Sequence, residues 1–204
     1  MITINYEIIG SGSKGNAVLI ENVLIDCGIP FKKLKPYLYD VDYLLITHIH
    51  SDHLNVGCVK QIRKMFPHIK ILGNWQVGQV IELDTIINAG YLFKDGLLEV
   101  IPFECFHDVL TYGFVWKVDN EVILYATDTN NLENATDLGP FDYLFIESNH
   151  DEKKIALAKP TKGYDPKVSA LRHMSTQKAK AFYYGHRRDS NSKLIELHKS
   201  ERFY

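Results

Sequence analysis

Residues 41–53, VDYLLITHIHSDH, set a near-continuous apolar run directly against three histidines and an aspartate. The run reads as a strand buried on both faces. Side chains two apart on extended backbone point the same way, so His48 and His50 are placed to grip one cation together. As the chain turns towards a helix, Asp52 and His53 swing to a second position close by. Imidazole and carboxylate suit Zn²⁺, Mn²⁺ or Fe²⁺. A lone histidine is more often a core or surface residue than a ligand. Four potential ligands in HxHxDH order at a strand-to-helix corner point to metal binding.

The same arrangement, an apolar run ending in a ligand type, recurs three times. His107 follows "FEC" and its strand, Asp128 follows "EVILYAT", and His198 follows "SKLIEL". A set of His48, His50 and His107 for one ion and Asp52, His53 and His198 for a second, with Asp128 shared, satisfies two sites and leaves room for a water. The expected cofactors are therefore two divalent metal ions, Zn or Mn.

The pattern along the chain is mixed. TINYEII, IKILGN, GLLEVIPFEC, YGFVWKV and FDYLFIES read as strands bounded by turn residues, and AVLIE with VLIDC as a hairpin turning near Glu21 and Asn22. "KVDNEV" supplies an Asp-Asn turn. In NVGCVKQIRKMF, Val56, Val59, Ile62 and Phe66 fall at helical spacing, opposite Lys60, Arg63 and Lys64, and Pro67 ends the helix. QVGQVIEL reads as a short helix. STQKAKAFYYG reads as a helix with Ser175 as N-cap and Gly185 as its stop. Two similar halves of strands and helices predict an α/β fold of two packed sheets with helices outside, as a single domain over 1–204.

Bulk properties exclude several classes. At 46% hydrophobic residues the chain has material for a core. No apolar run approaches the roughly 20 residues that span a bilayer. The start MITINYEIIG has no basic n-region or long apolar stretch, so no signal peptide is expected. Cys27, Cys58 and Cys105 lack a CxxC spacing and read as three reduced thiols of a cytoplasmic protein. Net charge is −2, divided between 10 Lys+Arg against 19 Asp+Glu in residues 1–150 and 13 against 6 in residues 151–204. That basic last quarter is suited to an anionic substrate, or is a solvated lysine-bearing surface. The 12 Tyr and 10 Phe serve a core, a base-stacking pocket or a homodimer face.

The order HxHxDH, His, Asp, His resembles the metallo-β-lactamase fold, a four-layer αββα sandwich. The stretches GSGSKGNAVLI, IDCG, THIHSDH, FHDV, TDT and ESNHD are similar to the YycJ/WalJ branch, associated with DNA exonuclease activity. "RHMSTQKA" followed by "LHKSERFY" resembles the paired motifs of ribonuclease Z-like phosphodiesterases. The branch carries a glycine where this chain has Arg172. The 20 residues between His107 and Asp128 leave no space for the long arm of tRNA-processing relatives. Asp128 stands where many zinc β-lactamases use cysteine.

The residues alone leave His150, His173, His186 and His198 competing for the last ligand position. By resemblance His198 matches the terminal ligand motif, and His173, with His198 its rival there, matches the general-acid or phosphate-contact position. Asp52 and His173 are the candidate catalytic residues. Asp26 in LIDCG is placed to accept the free N–H of a ligand histidine, or to close a turn with Gly28. His150 is a substrate-contact candidate or a loop residue, and His68 and His186 read as ordinary exposed residues. The GSGSKGNA loop lacks a GK[ST] ending and reads as a tight hairpin bordering the metal cleft. Lys162, Arg172 and Arg187 are candidates to hold outer phosphates. The resemblance implies a di-metal phosphodiesterase acting on nucleic acid as a nuclease of DNA exonuclease type. Its alternative is a small-molecule cyclic-nucleotide phosphodiesterase, including phage anti-defence enzymes. A non-catalytic protein keeping the fold is disfavoured by the intact ligand set.

Overall fold

The computed structural model describes residues 3–96 and 98–204. Leu97, inside the strand expected over 96–105, lies outside the described residues, as do Met1 and Ile2 of the N-terminal stretch. The chain divides into two compact units, a first ending at Asn88 and a second over Ala89–Tyr204.

In the first unit, β1 (Tyr6–Gly10), β2 (Ala17–Ile20), β3 (Val23–Ile25), β4 (Tyr43–Ile46), β5 (Lys70–Gly73) and β6 (Thr85–Ile86) form one sheet in sequential order. The first three strands are antiparallel, and β3 to β6 are parallel. The expected β2–β3 hairpin turns through Glu21, whose φ is 51°. Parallel neighbours need crossovers, here α1 (Phe31–Leu34), α2 (Val56–Met65) and α3 (Trp75–Val80). Helix α2 follows its sequence pattern. Asn55 caps it by accepting from the Cys58 N–H, Cys58, Val59 and Ile62 are buried, and Lys60 and Lys64 face water. Full burial of Ile62 contributes about 1.5–3 kcal/mol. All four residues of β4 are buried, as its unbroken apolar run requires.

The second unit mirrors that plan. Its sheet runs β12-β11-β10-β9-β8-β7, built from β7 (Phe93–Asp95), β8 (Leu98–Cys105), β9 (Thr111–Val118), β10 (Glu121–Ala126), β11 (Tyr143–Glu147) and β12 (Lys193–Leu197). Strands β7 to β10 are antiparallel neighbours, and β10, β11 and β12 are parallel. Between β11 and β12 lie α4 (Glu152–Leu157), α5 (Pro166–Ala170) and α6 (Thr176–His186). Ser175 caps α6 as expected, accepting from the Lys178 N–H. Gly185 does not stop it. The helix continues to His186 because the Arg187 N–H still reaches the Tyr183 carbonyl at 2.9 Å, and the backbone leaves the helix only at Arg187. The α/β expectation therefore holds, with two mixed six-stranded sheets.

All three cysteines are buried free thiols. Among the described residues no helix is long and apolar enough to cross a membrane.

Candidate metal centre

Each candidate site residue of the first unit sits at, or just beyond, the carboxyl end of a parallel strand, where open α/β sheets place ligands. Asp26 follows β3, Thr47 and His48 follow β4, and Asn74 follows β5 and donates to the Thr47 carbonyl at 3.3 Å. His48 Nε2 and His50 Nδ1 converge to 3.1 Å. Two nitrogens on one tetrahedral ion at 2.0–2.1 Å bond lengths lie about 3.3 Å apart, so this pair is spaced for a single cation.

Asp26 organises the rest of that cluster. Its carboxylate accepts from the Thr47 N–H at 2.8 Å and the Thr47 hydroxyl at 2.9 Å, and pairs with His53 Nδ1 at 2.6 Å. Since a carboxylate only accepts, His53 carries its proton on Nδ1. With the Thr47 hydroxyl hydrogen directed at Asp26, its oxygen accepts from His48 Nδ1 at 2.9 Å, which leaves His48 Nε2 bare. Burial pushes the Asp26 carboxyl up from its ordinary value, with the His53 pairing opposing part of that rise. Asp26 leaves β3 with φ at 62°, and the Gly28 N–H donates to the Asn16 carbonyl at 2.9 Å rather than closing a turn with Asp26. Gly28 packs so closely that an added Cβ would meet the Asp52 carbonyl oxygen at 1.8 Å.

One residue of this cluster was not foreseen. Asn16 ends the GSGSKGNA loop, and its Nδ2 lies 2.8 Å from His53 Nε2 and 3.1 Å from the Asp52 carbonyl oxygen. Its Oδ1 accepts from the Gly12 N–H at 2.7 Å. The loop thus borders the histidine cluster, as its composition led us to expect, through the Asn16 side chain and through the Asn16 N–H, which donates to the Asp52 carbonyl at 2.7 Å.

The second unit gathers a tighter group. Ligating atoms of Asp128, Glu147, His173 and His198 all lie within 4.8 Å of one another. Asp128 follows β10, Glu147 ends β11 and His198 follows β12, so three adjacent parallel strands deliver three of the four. Glu147 was missed as a site residue, although it obeys the rule used for Asp128, an acid closing an apolar run. It is fully buried, and its Oε1 lies 2.6 Å from His173 Nδ1 and 3.2 Å from His198 Nδ1. Its Oε2 accepts from the Thr129 N–H at 2.9 Å. Burial alone would raise the Glu147 carboxyl; the hydrogen bonds and charge of His173 and His198 outweigh it and hold the group below its ordinary value. Burial likewise pulls His173 down, and Glu147 more than reverses this.

The two competing histidines meet Asp128 through different ring atoms. With Nδ1 turned to Glu147, His198 presents Nε2 to Asp128 Oδ1 at 3.5 Å. A carboxylate behind one ring nitrogen and a ligating carboxylate beside the other is the usual setting of a metal-bound histidine. His173 approaches Asp128 through Nδ1, at 3.4 Å, and stacks on His198 with ring centroids 5.2 Å apart. Its Nε2 edge is thereby left for a substrate or an ion. His107 lies in the β8–β9 connection, which is fastened to the Asp128 end of β10 by Phe106 N–H to Thr129 Oγ1 at 3.1 Å. Its ring centroid is 6.0 Å from that of His173.

The remaining candidates scatter. His150 is buried in the turn after β11, bridged to Ser175. His186 ends α6 and stacks on Phe182, and exposed His68 packs edge-on to Phe66. Arg172 pairs with Asp108 at 2.9 Å, Arg187 lies over the Tyr183 and Tyr184 rings, and Lys162 stands exposed in the α4–α5 connection. Of these three cations, Arg172 is the one linked to a candidate ligand, through Asp108, whose Oδ1 lies 3.2 Å from His107 Nε2.

Residues 21–186 match the Beta-lactamase superfamily domain. The chain belongs to that superfamily. Over 176 residues it is 28% identical to the exodeoxyribonuclease WalJ of Streptococcus pneumoniae, covering 74% of this chain and 64% of that protein. It thus spans under two thirds of that relative's length. Among solved structures, the metallo-β-lactamase fold protein YhfI of Bacillus subtilis superposes with a TM-score of 0.74 at 16% identity, covering 96% of this chain and 86% of that one. Human tRNase Z, short form, gives 0.70 at 20% identity, covering 97% and 93%. These likenesses establish the metallo-β-lactamase fold. In this superfamily chain the HxHxDH stretch follows β4, and Asp128 and His198 follow β10 and β12.

Proposed function

We propose that this chain is a metal-dependent phosphodiesterase, a nuclease of the DNA exonuclease type, with 1–204 acting as one catalytic domain. The observation that carries the reading is the Asp128–Glu147–His173–His198 cluster, buried but for a partly exposed His173, supported by the exodeoxyribonuclease named among its relatives. The donor set suits a cation: bare imidazole nitrogens, a ligating carboxylate, and carboxylates behind the rings. The ligands proposed are His48, His50 and His107 for one ion and Asp52, His53 and His198 for the other, with Asp128 shared. Two Zn²⁺ or Mn²⁺ ions, when bound, supply an activated water and neutralise phosphate oxygens.

The chain's own residues do the rest. Glu147 fixes the tautomers of His173 and His198 through their Nδ1 atoms. Glu147 also favours the doubly protonated ring, and in that imidazolium form His173 has a second proton, at Nε2, to give to the leaving oxygen. Asp26 holds His53 directly and His48 through Thr47.

The test is a paired assay on metal-loaded protein: labelled single- and double-stranded DNA and RNA against 2′,3′- and 3′,5′-cyclic nucleotides, each with Zn²⁺ and Mn²⁺. Cleavage of polymers with inert cyclic nucleotides is the expected result. Turnover of a cyclic nucleotide with polymers intact would replace the nuclease reading by the small-molecule one.

A further inference from the structure

Beside His173, the second unit contains a cavity of about 510 Å³. That lies within the roughly 300–1,000 Å³ of small-molecule sites. It is walled by the α4–α5 segment, which no part of the metal centre uses. Ile155, Ala156 and Leu171 give it an apolar side, and Lys167 and Lys178 a cationic one. Ser175, the N-cap of α6, also lines it, so the positive end of that helix faces the cavity.

His150 adds a polar ring to the cavity wall. It is only 6% exposed, and its Nδ1 is buried with no hydrogen-bond partner among the described residues. A buried ring nitrogen is tolerated unpaired far better as a bare acceptor than as a donor. The proton therefore sits on Nε2, the polar atom the ring can offer a ligand. Glu152 contributes the one carboxylate, with Oε1 taken by the Ser175 hydroxyl at 2.6 Å.

We propose that this cavity receives one nucleoside monophosphate unit of the substrate. Lys167, Lys178 and His150 Nε2 suit its phosphate and sugar oxygens. The Ile155–Ala156–Leu171 side suits the face of a base, and the remaining Glu152 oxygen accepts from an exocyclic amine or sugar hydroxyl. His173 lines the same cavity, so a nucleotide seated there has its phosphate beside the residue assigned to protonate the leaving oxygen. The proposal rests on the phosphodiesterase reading and names the part of the substrate that site holds.

Calorimetric titration of the Zn-loaded chain with 5′-dAMP and with inorganic phosphate tests it. The wild type should prefer 5′-dAMP by about tenfold or more, equivalent to one strong contact. Ala156→Trp, an exposed α4 position whose new ring fills the apolar side, should erase that preference, and Lys167→Glu should weaken it. Circular dichroism checks that both variants are folded. Equal affinity for the two ligands in the wild type, or a preference surviving both substitutions, would overturn the proposal. Competition by a 5′-phosphorylated oligonucleotide or by 3′,5′-cyclic AMP supports the cavity in either case and identifies the source of the unit. Hydrolysis of bis(4-nitrophenyl) phosphate by the same preparation tests the phosphodiesterase reading separately. No turnover with the 5′-dAMP preference intact sinks that reading and leaves the binding site standing.

Discussion

Glu147 Oε1 lies 2.6 Å from His173 Nδ1, and the same oxygen lies 3.2 Å from His198 Nδ1. One fully buried carboxylate thus sets the tautomer of both histidines at once. Glu147→Gln keeps the volume but replaces the anion by an amide that cannot accept from both rings as strongly. Metal affinity is expected to fall about 10–100-fold, the usual cost of removing a carboxylate behind a ligand histidine. Zinc titration against a competing chelator checks this. Unchanged affinity and unchanged turnover would remove Glu147 from the site.

Metal removal should abolish activity and lower stability together. At an ion concentration about 100 times its dissociation constant, binding to the folded state alone adds about 2.7 kcal/mol. Thermal melts with and without chelator should separate accordingly, and Asp128→Ala or His50→Ala should melt like the chelated wild type. Full metal-dependent activity in either variant would refute the ligand assignment.

Gly28→Ala places a methyl group 1.8 Å from the Asp52 carbonyl oxygen, a backbone atom that cannot swing aside. We expect a loss of about 1–3 kcal/mol from overpacking. Because the HxHxDH turn must shift to make room, metal affinity should drop as well. Denaturant melts and zinc titration on the one variant read both effects.

Asp151 couples the α4 wall of the cavity to pH. Its carboxylate accepts from the backbone N–H groups of Lys154 and Lys153 and from Gln177, and the Lys154 bond leads in holding its pKa below its ordinary value of 3.8. The folded value is depressed, so the stabilisation is full above 3.8 and disappears as pH falls through the folded value. Amide exchange within α4 should therefore quicken relative to α6 on acidification through that window. In Asp151→Asn, exchange in α4 should be faster at neutral pH and lose the acid dependence. An unchanged pH profile in that variant would count against the cap.

Much of the metal centre is legible in the sequence because its logic is local. An apolar run defines the strand, and the residue past its end faces the ligand side, which is how His48, Asp128 and His198 stand out. Glu147 obeys the same rule, yet its role depends on two histidines 26 and 51 positions away. Asn16 escaped for a similar reason: only the folded loop turns its amide onto His53. The segment 152–170 gave no clear periodicity, since α4 and α5 hold six and five residues, too short for a stripe. Their capping aspartates, Asp151 and Asp165, with Pro166 behind the second, were the readable signal.

Three site residues, Asp26, Asp128 and His198, have φ of 62°, 49° and 52°. The other two described non-glycine residues of this kind, Glu21 and Asp119, merely turn hairpins. Left-handed backbone at a side-chain-bearing residue costs about 1–2 kcal/mol, although Asp and His tolerate it better than most. Selection for the stability of the metal-free chain would therefore press these positions towards glycine. With metal bound the pressure reverses, because His198→Gly would give up a proposed ligand and the stabilisation that binding adds, so libraries screened by melting temperature in chelator and in zinc should part at these positions.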